Sequence, residues 1–313
     1  MIIPELGDGQ VERLREETSG ARFLVAKDLT AAVSLAGEAE AVYGFNSPAL
    51  YDAAPRLRWV QAGSAGVESY PLESFRRRGI LLTNAKVIYA AQLADHAMAL
   101  ILAFSRQLPF LLRAQERELW ESRDRYPPGE LDGQELLILG LGGTGIELAR
   151  RARGFGMRVT ATQRRPPPGP SDHVDAVHPP GALHELLPRA DWIAVCLPLT
   201  AETRGLLGDR ELGLMKRSAY LVNVTRGGIV DTDALVRALR KGTMAGAGLD
   251  VTDPEPLPPG HPLWKLENVI ITPHAAGHSP AASERLFTLL TENVRRYVAG
   301  GELLNRVDLE LGY

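Results

Sequence analysis

The segment Leu136-Leu-Ile-Leu-Gly140-Leu-Gly142-Gly143-Thr144-Gly145-Ile-Glu-Leu-Ala149 constrains the chain more than any other. An unbroken apolar run leads into glycines spaced G-x-G-x-x-G, and a helix-forming run follows at once. Consecutive apolar residues suit a strand covered on both faces, as in a parallel sheet. The first glycine permits a tight turn, the second lets backbone amides approach a diphosphate, and the third lets helix and strand pack closely. The helix N-terminus then faces negative charge. The spacing predicts a strand-turn-helix unit that holds a dinucleotide through Gly140, Gly142, Gly143, Thr144 and Gly145. No Gly-Lys-Ser/Thr follows, so this is not a Walker-type phosphate loop.

The same alternation runs along the chain. Apolar runs at 22–26, 41–44, 57–61 and 80–83 read as buried strands, with helix-permissive segments between them. A second series follows at 136–139, 158–162, 192–197, 220–224, 245–249 and 269–272. Strands alternating with helices predict an α/β fold of parallel sheets covered on both faces. With 313 residues the chain exceeds one ordinary core, so two domains are expected. Between the two series, 90–121 reads as one long helical stretch with a break at Pro109, ended by Tyr126-Pro-Pro-Gly129. The run Pro166–Pro168 reads as a stiff connector. Helical periodicity returns over 280–299, a segment expected to rejoin the first domain. The expected division is 1–98 with 280–313 for one domain and 99–279 for the dinucleotide domain.

Charge and cysteine content narrow the function classes. A net charge of −3 leaves no basic footprint for nucleic acid or an acidic membrane surface. Cys196 is the only cysteine, so neither a disulfide within the chain nor a cysteine-built zinc cage is possible. It lies in the apolar run 192–197 and reads as a buried, inert thiol. No His, Asp or Glu spacing suggests a metal site. The most hydrophobic stretch, 87–104, is interrupted by Gln92, Asp95 and His96, and so falls short of the ~20 apolar residues of a membrane span. The first residues lack the basic flank and apolar core of a signal peptide, and a cytoplasmic location is expected.

Polar residues stand just past three strand ends of the second series. Arg226 follows 220–224, Asp250 follows 245–249 with Glu255 beyond it, and His274 follows 269–272. Ligands bind at the carboxyl ends of strands in open α/β sheets. Together with the glycine loop, the run 191–200 and His261-Pro-Leu-Trp264, these segments resemble the D-isomer-specific 2-hydroxyacid dehydrogenase family, over nearly the whole chain and most densely over 131–277.

The resemblance implies two doubly wound parallel-sheet domains, a Rossmann-type cofactor domain and a discontinuous flavodoxin-like substrate domain, with a catalytic cleft between them. It implies hydride transfer between NAD(P)H and a small 2-oxo or 2-hydroxy acid, with the glyoxylate/hydroxypyruvate type favoured. His274 is then the proton donor to the carbonyl oxygen, and Glu255 holds its imidazole and stabilises the cation. Arg226 binds the substrate's carboxylate and carbonyl. Asp250 contacts the nicotinamide carboxamide, with Pro198 and Thr225 also at the cofactor. Gly63, Ser64, Ala65 and Gly66 match the family's loop that offers amides to the substrate carboxylate; an ordinary turn is the other reading. The long helical region resembles a dimerisation arm, so a homodimer is expected.

Several positions depart from the family or leave alternatives open. The second strand ends in Gln163-Arg164-Arg165, where an NAD site usually has a carboxylate. The two arginines either pair with a ribose 2′-phosphate or are solvated loop charges, and the residues lean to the first, hence to NADP(H). Ala62 stands where members acting on 3-phosphoglycerate carry arginine, which argues against a phosphorylated substrate. Glu68 replaces the usual Asp, Asp95-His96 the usual glutamate before histidine, and Lys86-Val87 the common Pro-Gly. His96, His173, His178, His184, His261 and His278 read as structural. The alternative function is a nucleotide-sensing, corepressor-like binding protein of the same fold.

Overall fold

Five short strands of the first series pair side by side: β1 (Ile2–Pro4), β2 (Leu24–Ala26), β3 (Ala41–Tyr43), β4 (Trp59–Gln61) and β5 (Leu81–Thr83). They form a parallel sheet of order β2-β1-β3-β4-β5, the flavodoxin-like order. The computed structural model describes residues 1–7, 9–125, 128–165 and 172–313. The chain divides into two units, Met1–Tyr89 with Ser279–Tyr313, and Ala90–His278.

In the first unit, Ile2, Val42 and Val60 face one apolar cluster, while Ile3, Ala41 and Trp59 face another. Neighbouring residues thus point to opposite sides and both are buried, which is why these strands read as unbroken apolar runs. The helix Pro280–Val298 lays Phe287, Leu290 and Val294 onto the second cluster at helical spacing. The returning segment is also pinned by polar groups. Asn293 donates to Gln61 Oε1 at 2.9 Å and accepts the Leu304 amide at 2.7 Å, and the Val307 amide bonds Leu82. Buried polar groups satisfied in this way specify one register.

The second unit carries β6 (Glu135–Leu139), β7 (Arg158–Thr162), β8 (Ala176–His178), β9 (Trp192–Val195), β10 (Tyr220–Asn223), β11 (Gly246–Leu249) and β12 (Val269–Ile271). All pair in parallel, in the order β12-β11-β10-β9-β6-β7-β8. This is the Rossmann order with a seventh strand added, and it reverses direction between β6 and β9. Leu137 and Leu139 face one core, Leu136 and Ile138 the other.

Two strands lie outside the runs named from sequence. β1 is Ile-Ile-Pro, too short to show a pattern, and is central only because β2 and β3 flank it. β8 is a half-buried edge strand of Ala-Val-His. The long helical region is two helices, Ala90–Ser105 and Leu108–Glu116, bent by 68°. Pro109 lies inside the first turn of the second helix, where its missing N–H costs nothing, and the bend is made by Gln107 at φ 56°. Ala90–Ser105 stays whole in the second unit, on the core formed with the helix Gly143–Gly154, whereas a division at 98/99 would cut it. Tyr126 and Pro127 of the expected helix stop, and the Pro166–Pro168 run, lie outside the described residues. Among the described residues no single helix is long and apolar enough to cross a membrane.

Candidate functional site

The glycine loop occupies the point where the strand order reverses. Gly140 takes φ 98°, which side chains rarely adopt, and a Cβ there would sit 2.8 Å from the Cys196 carbonyl oxygen at the end of β9. A Cβ at Gly145 would lie 2.2 Å from the Gly140 carbonyl oxygen. These two glycines are therefore demanded by the protein's own packing. Gly142 differs: its backbone is ordinary and a Cβ would meet nothing within 4 Å. Gly142 is the N-cap of the helix Gly143–Gly154 and provides no side-chain cap. An uncapped helix N-terminus with open space above it fits a diphosphate, which takes both the amides and the favourable end of the helix dipole.

The next three loops interlock. In β10, Asn223 is buried; it donates to the Arg226 carbonyl at 2.9 Å and accepts the Thr225 amide at 3.2 Å. Thr225 Oγ1 reaches the Val195 carbonyl at 3.4 Å, and the Arg226 guanidinium donates to the Thr225 carbonyl at 2.7 Å. A Cβ at Gly227 would lie 2.0 Å from the Thr252 carbonyl oxygen, so this turn presses on the loop after β11. Asn223, Leu249 and Ile271 are in register across β10, β11 and β12. Arg226 and His274 each follow that row by three residues, after strands two places apart in the sheet.

His274 Nδ1 is hydrogen-bonded to Glu255 Oε1, and both side chains stay partly exposed. That bond leaves Nε2 as the ring nitrogen open to a reactant. The His274 backbone takes φ 52°, an uncommon conformation for a residue with a side chain. Asp250 maintains it. Its carbonyl accepts the His274 amide at 2.8 Å, Oδ1 accepts the Thr272 hydroxyl at 2.6 Å and the Ala275 amide at 2.9 Å, and Oδ2 accepts the Ala276 amide at 3.0 Å. Asp250, expected at a bound nicotinamide, is 1% exposed and forms the floor of the His274 turn.

Other expected cofactor residues follow β7 and β9. Gln163, Arg164 and Arg165 follow β7; the Gln163 amide bonds the His178 carbonyl, and Arg164 lies 3.4 Å from Glu202. Pro198 follows β9, its carbonyl accepting the Thr203 hydroxyl at 2.7 Å.

In the first unit, the loop after β4 has every carbonyl engaged. Gly63 accepts from the Tyr89 hydroxyl at 2.5 Å, Ser64 from the Ala85 amide at 2.9 Å, Ala65 from Asn84 at 2.7 Å and Gly66 from the Ser64 hydroxyl at 2.6 Å. Among the described residues, no hydrogen bond uses the amides of Gly63, Ser64, Ala65 or Gly66. A loop with its acceptors consumed and its donors open has the polarity that suits an anion. Ala62 is fully buried.

Sequence reasoning missed two supports of this site, Asn223 and Thr272, and read a third, His96, as structural. His96 Nε2 lies 2.9 Å from the Thr272 hydroxyl, and the buried Asn223 in an apolar strand was the clearest available signal. Of the other histidines, His184 pairs with Glu211 at 2.9 Å and His261 caps the turn Pro262–Lys265. Cys196 is buried, which pushes its thiol up to about 12. Among the described residues, no group of acidic, histidine or cysteine side chains is placed to hold a metal ion.

Comparisons with known proteins agree on one relationship. Residues 98–276 match the family described as D-isomer specific 2-hydroxyacid dehydrogenase, NAD binding domain. A glyoxylate reductase of Korarchaeum cryptofilum is 36% identical over 266 residues, 84% of this chain and 79% of that protein. A D-isomer specific 2-hydroxyacid dehydrogenase family protein of Aeromonas salmonicida has a crystal structure that superposes with TM-score 0.86, at 32% identity, covering 98% of this chain and 99% of that one. The NADPH-dependent glyoxylate/hydroxypyruvate reductase of Sinorhizobium meliloti, solved with NADP and malonate, gives TM-score 0.81 at 29% identity, covering 99% of this chain and 97% of that one.

Proposed function

The chain belongs to the D-isomer specific 2-hydroxyacid dehydrogenase family, and we propose that it reduces short 2-oxo acids of the glyoxylate or hydroxypyruvate type with NAD(P)H. The carrying observation is the His274–Glu255 bond at the end of a row of strands that also presents Arg226. A nicotinamide dinucleotide, when bound, supplies the hydride that adds to the C2 carbon. Gly142, Gly143 and Thr144 hold its diphosphate, with Gly140 and Gly145 shaping the turn, while Pro198 and Thr225 border it. Asp250, the floor of the His274 turn, would act on a bound nicotinamide through the turn it holds.

His274 Nε2 gives its proton to the carbonyl oxygen as negative charge develops there, so the product is the 2-hydroxy acid. Glu255 fixes the ring and stabilises its charged form before transfer. The Arg226 guanidinium binds carboxylate and carbonyl oxygens together and draws electron density from C2. Within the first unit, the open amides of Gly63, Ser64, Ala65 and Gly66 would suit a carboxylate. Arg164 and Arg165 lean the site toward NADP(H) through a 2′-phosphate. The nucleotide-sensing alternative is not favoured, since the related proteins are named as reductases.

We read the protein as a cytoplasmic homodimer. A single buried thiol suits a reducing compartment. Leu108 and Leu112 share one helix face and are 44% and 56% exposed; nearby Leu119 is 51% exposed and Trp120 fully so. Light scattering should return a dimer mass, and a monomer mass would remove that assignment. A panel of 2-oxo acids should give turnover, with a lower KM for NADPH than for NADH. His274→Ala should abolish turnover, a loss of at least about a hundredfold, while cofactor binding persists. Retained turnover in that variant removes the proposed acid.

A further inference from the structure

We propose that His96 and Gln92 are positioning residues for His274, acting from one face of the helix Ala90–Ser105. They are four residues apart and so point the same way. Gln92 Nε2 donates to the Gly277 carbonyl at 3.0 Å, and His96 Nε2 lies 2.9 Å from Thr272 Oγ1. Thr272 and Gly277 are the two ends of the turn that carries His274. One helix face therefore grips the turn at both ends, and Asp250 secures its middle.

The hydrogen-bond chain has a direction. The Thr272 hydroxyl has one proton, which it donates to Asp250 Oδ1. Toward His96 that oxygen is an acceptor, so His96 Nε2 carries a proton in either charge state. His96 thus donates to Thr272, Thr272 to Asp250, and Asp250 accepts the Ala275 and Ala276 amides that follow the proton donor. Removing His96 leaves the hydroxyl free to turn away from Asp250, and the turn loses the bond that orders its entry. Because His274 holds a positive φ, relaxation there moves the imidazole rather than a spectator group. The helix packs closely on β11: a Cβ on Gly248 would lie only 3.1 Å from Leu100.

The inference rests on His274 being the proton donor, and the test separates the two. Protein labelled with 15N in its seven histidines would be compared with His96→Leu, His96→Gln and Gln92→Leu. The expected result is that His96→Leu displaces the His274 ring resonances and lowers kcat about five- to a hundredfold, the scale for a displacement approaching 1 Å. The KM for the 2-oxo acid should change far less. His96→Gln, whose amide donor reaches about as far as Nε2, should restore most of both readouts, and Gln92→Leu should act in the same direction as His96→Leu. A folded His96→Leu protein with unmoved His274 resonances and wild-type kcat overturns the proposal, as does a loss that glutamine leaves unrepaired. If His274→Ala still turns over, the proton-donor reading fails, while displaced resonances in His96→Leu still establish the positional coupling.

Discussion

Gly142 and Gly145 are three residues apart, and a methyl group at each would meet opposite surroundings. At Gly145 the new carbon would sit 2.2 Å from the Gly140 carbonyl oxygen, where an ordinary contact begins near 3.4 Å. About 1.2 Å must open between the helix Gly143–Gly154 and the turn after β6, in a region where backbone faces backbone. Overpacking of this kind costs ~1–3 kcal/mol, or roughly 2–12 °C in Tm for a unit of this size. At Gly142 the carbon enters empty space on an ordinary backbone. The loss of a favourable N-cap glycine and the reduced freedom of the unfolded chain nearly cancel, leaving free-protein stability within ~0.5 kcal/mol. The empty space is where the diphosphate is proposed to lie, so Gly142→Ala should weaken NADPH binding by about five- to a hundredfold, the same ~1–3 kcal/mol now borne by the complex. Thermal unfolding with and without NADPH, plus titration of nicotinamide fluorescence, separates the two. If Gly142→Ala binds NADPH like wild type, or destabilises the free protein as much as Gly145→Ala, the assignment of the loop is wrong.

Two stability predictions follow from single residues. Val87 is β-branched, 61% exposed and held at φ 73°, a conformation costing such a residue ~1–3 kcal/mol. Glycine relieves that strain at an entropic cost of ~0.5–1 kcal/mol, a net gain of ~0–2.5 kcal/mol, so Val87→Gly should raise Tm by up to roughly 10 °C, and a fall would refute the strain. Burial lifts the Cys196 thiol from near 9 to about 12, so as pH rises the unfolded chain loses this proton first. Stability should therefore fall between those values, less so in Cys196→Ala, and native protein at pH 8 should resist a thiol reagent that labels it at once in guanidinium; prompt native labelling would contradict the burial.

Much of the fold was legible in the sequence. The runs 136–139 and 220–224 announced strands covered on both faces, and Arg226, Glu255 and His274 were singled out by their place after such strands; the structure joins the last two in a hydrogen bond. Other parts were silent for identifiable reasons. Ile2-Ile-Pro carries no period, and it becomes a central strand only through two neighbours distant in sequence. The break near 107 was attributed to Pro109 because proline is the local signal, yet a glutamine turns the chain. The four bonds of Asp250 to the His274 turn join residues more than twenty positions apart, so no local pattern announced them.

The sequence by itself determined what short-range physics can encode: apolar periodicity, the glycine spacing that a turn and a close approach require, and the residue types needed at strand ends. The tertiary structure alone decided which distant groups meet, namely the Asn293–Gln61 bond that seats the returning helix and the bonds of Gln92 and His96 to the two ends of the His274 turn, and it set the left-handed backbone of His274. Those depend on packing and on the pairing of buried polar groups across long separations, where no local pattern carries the information.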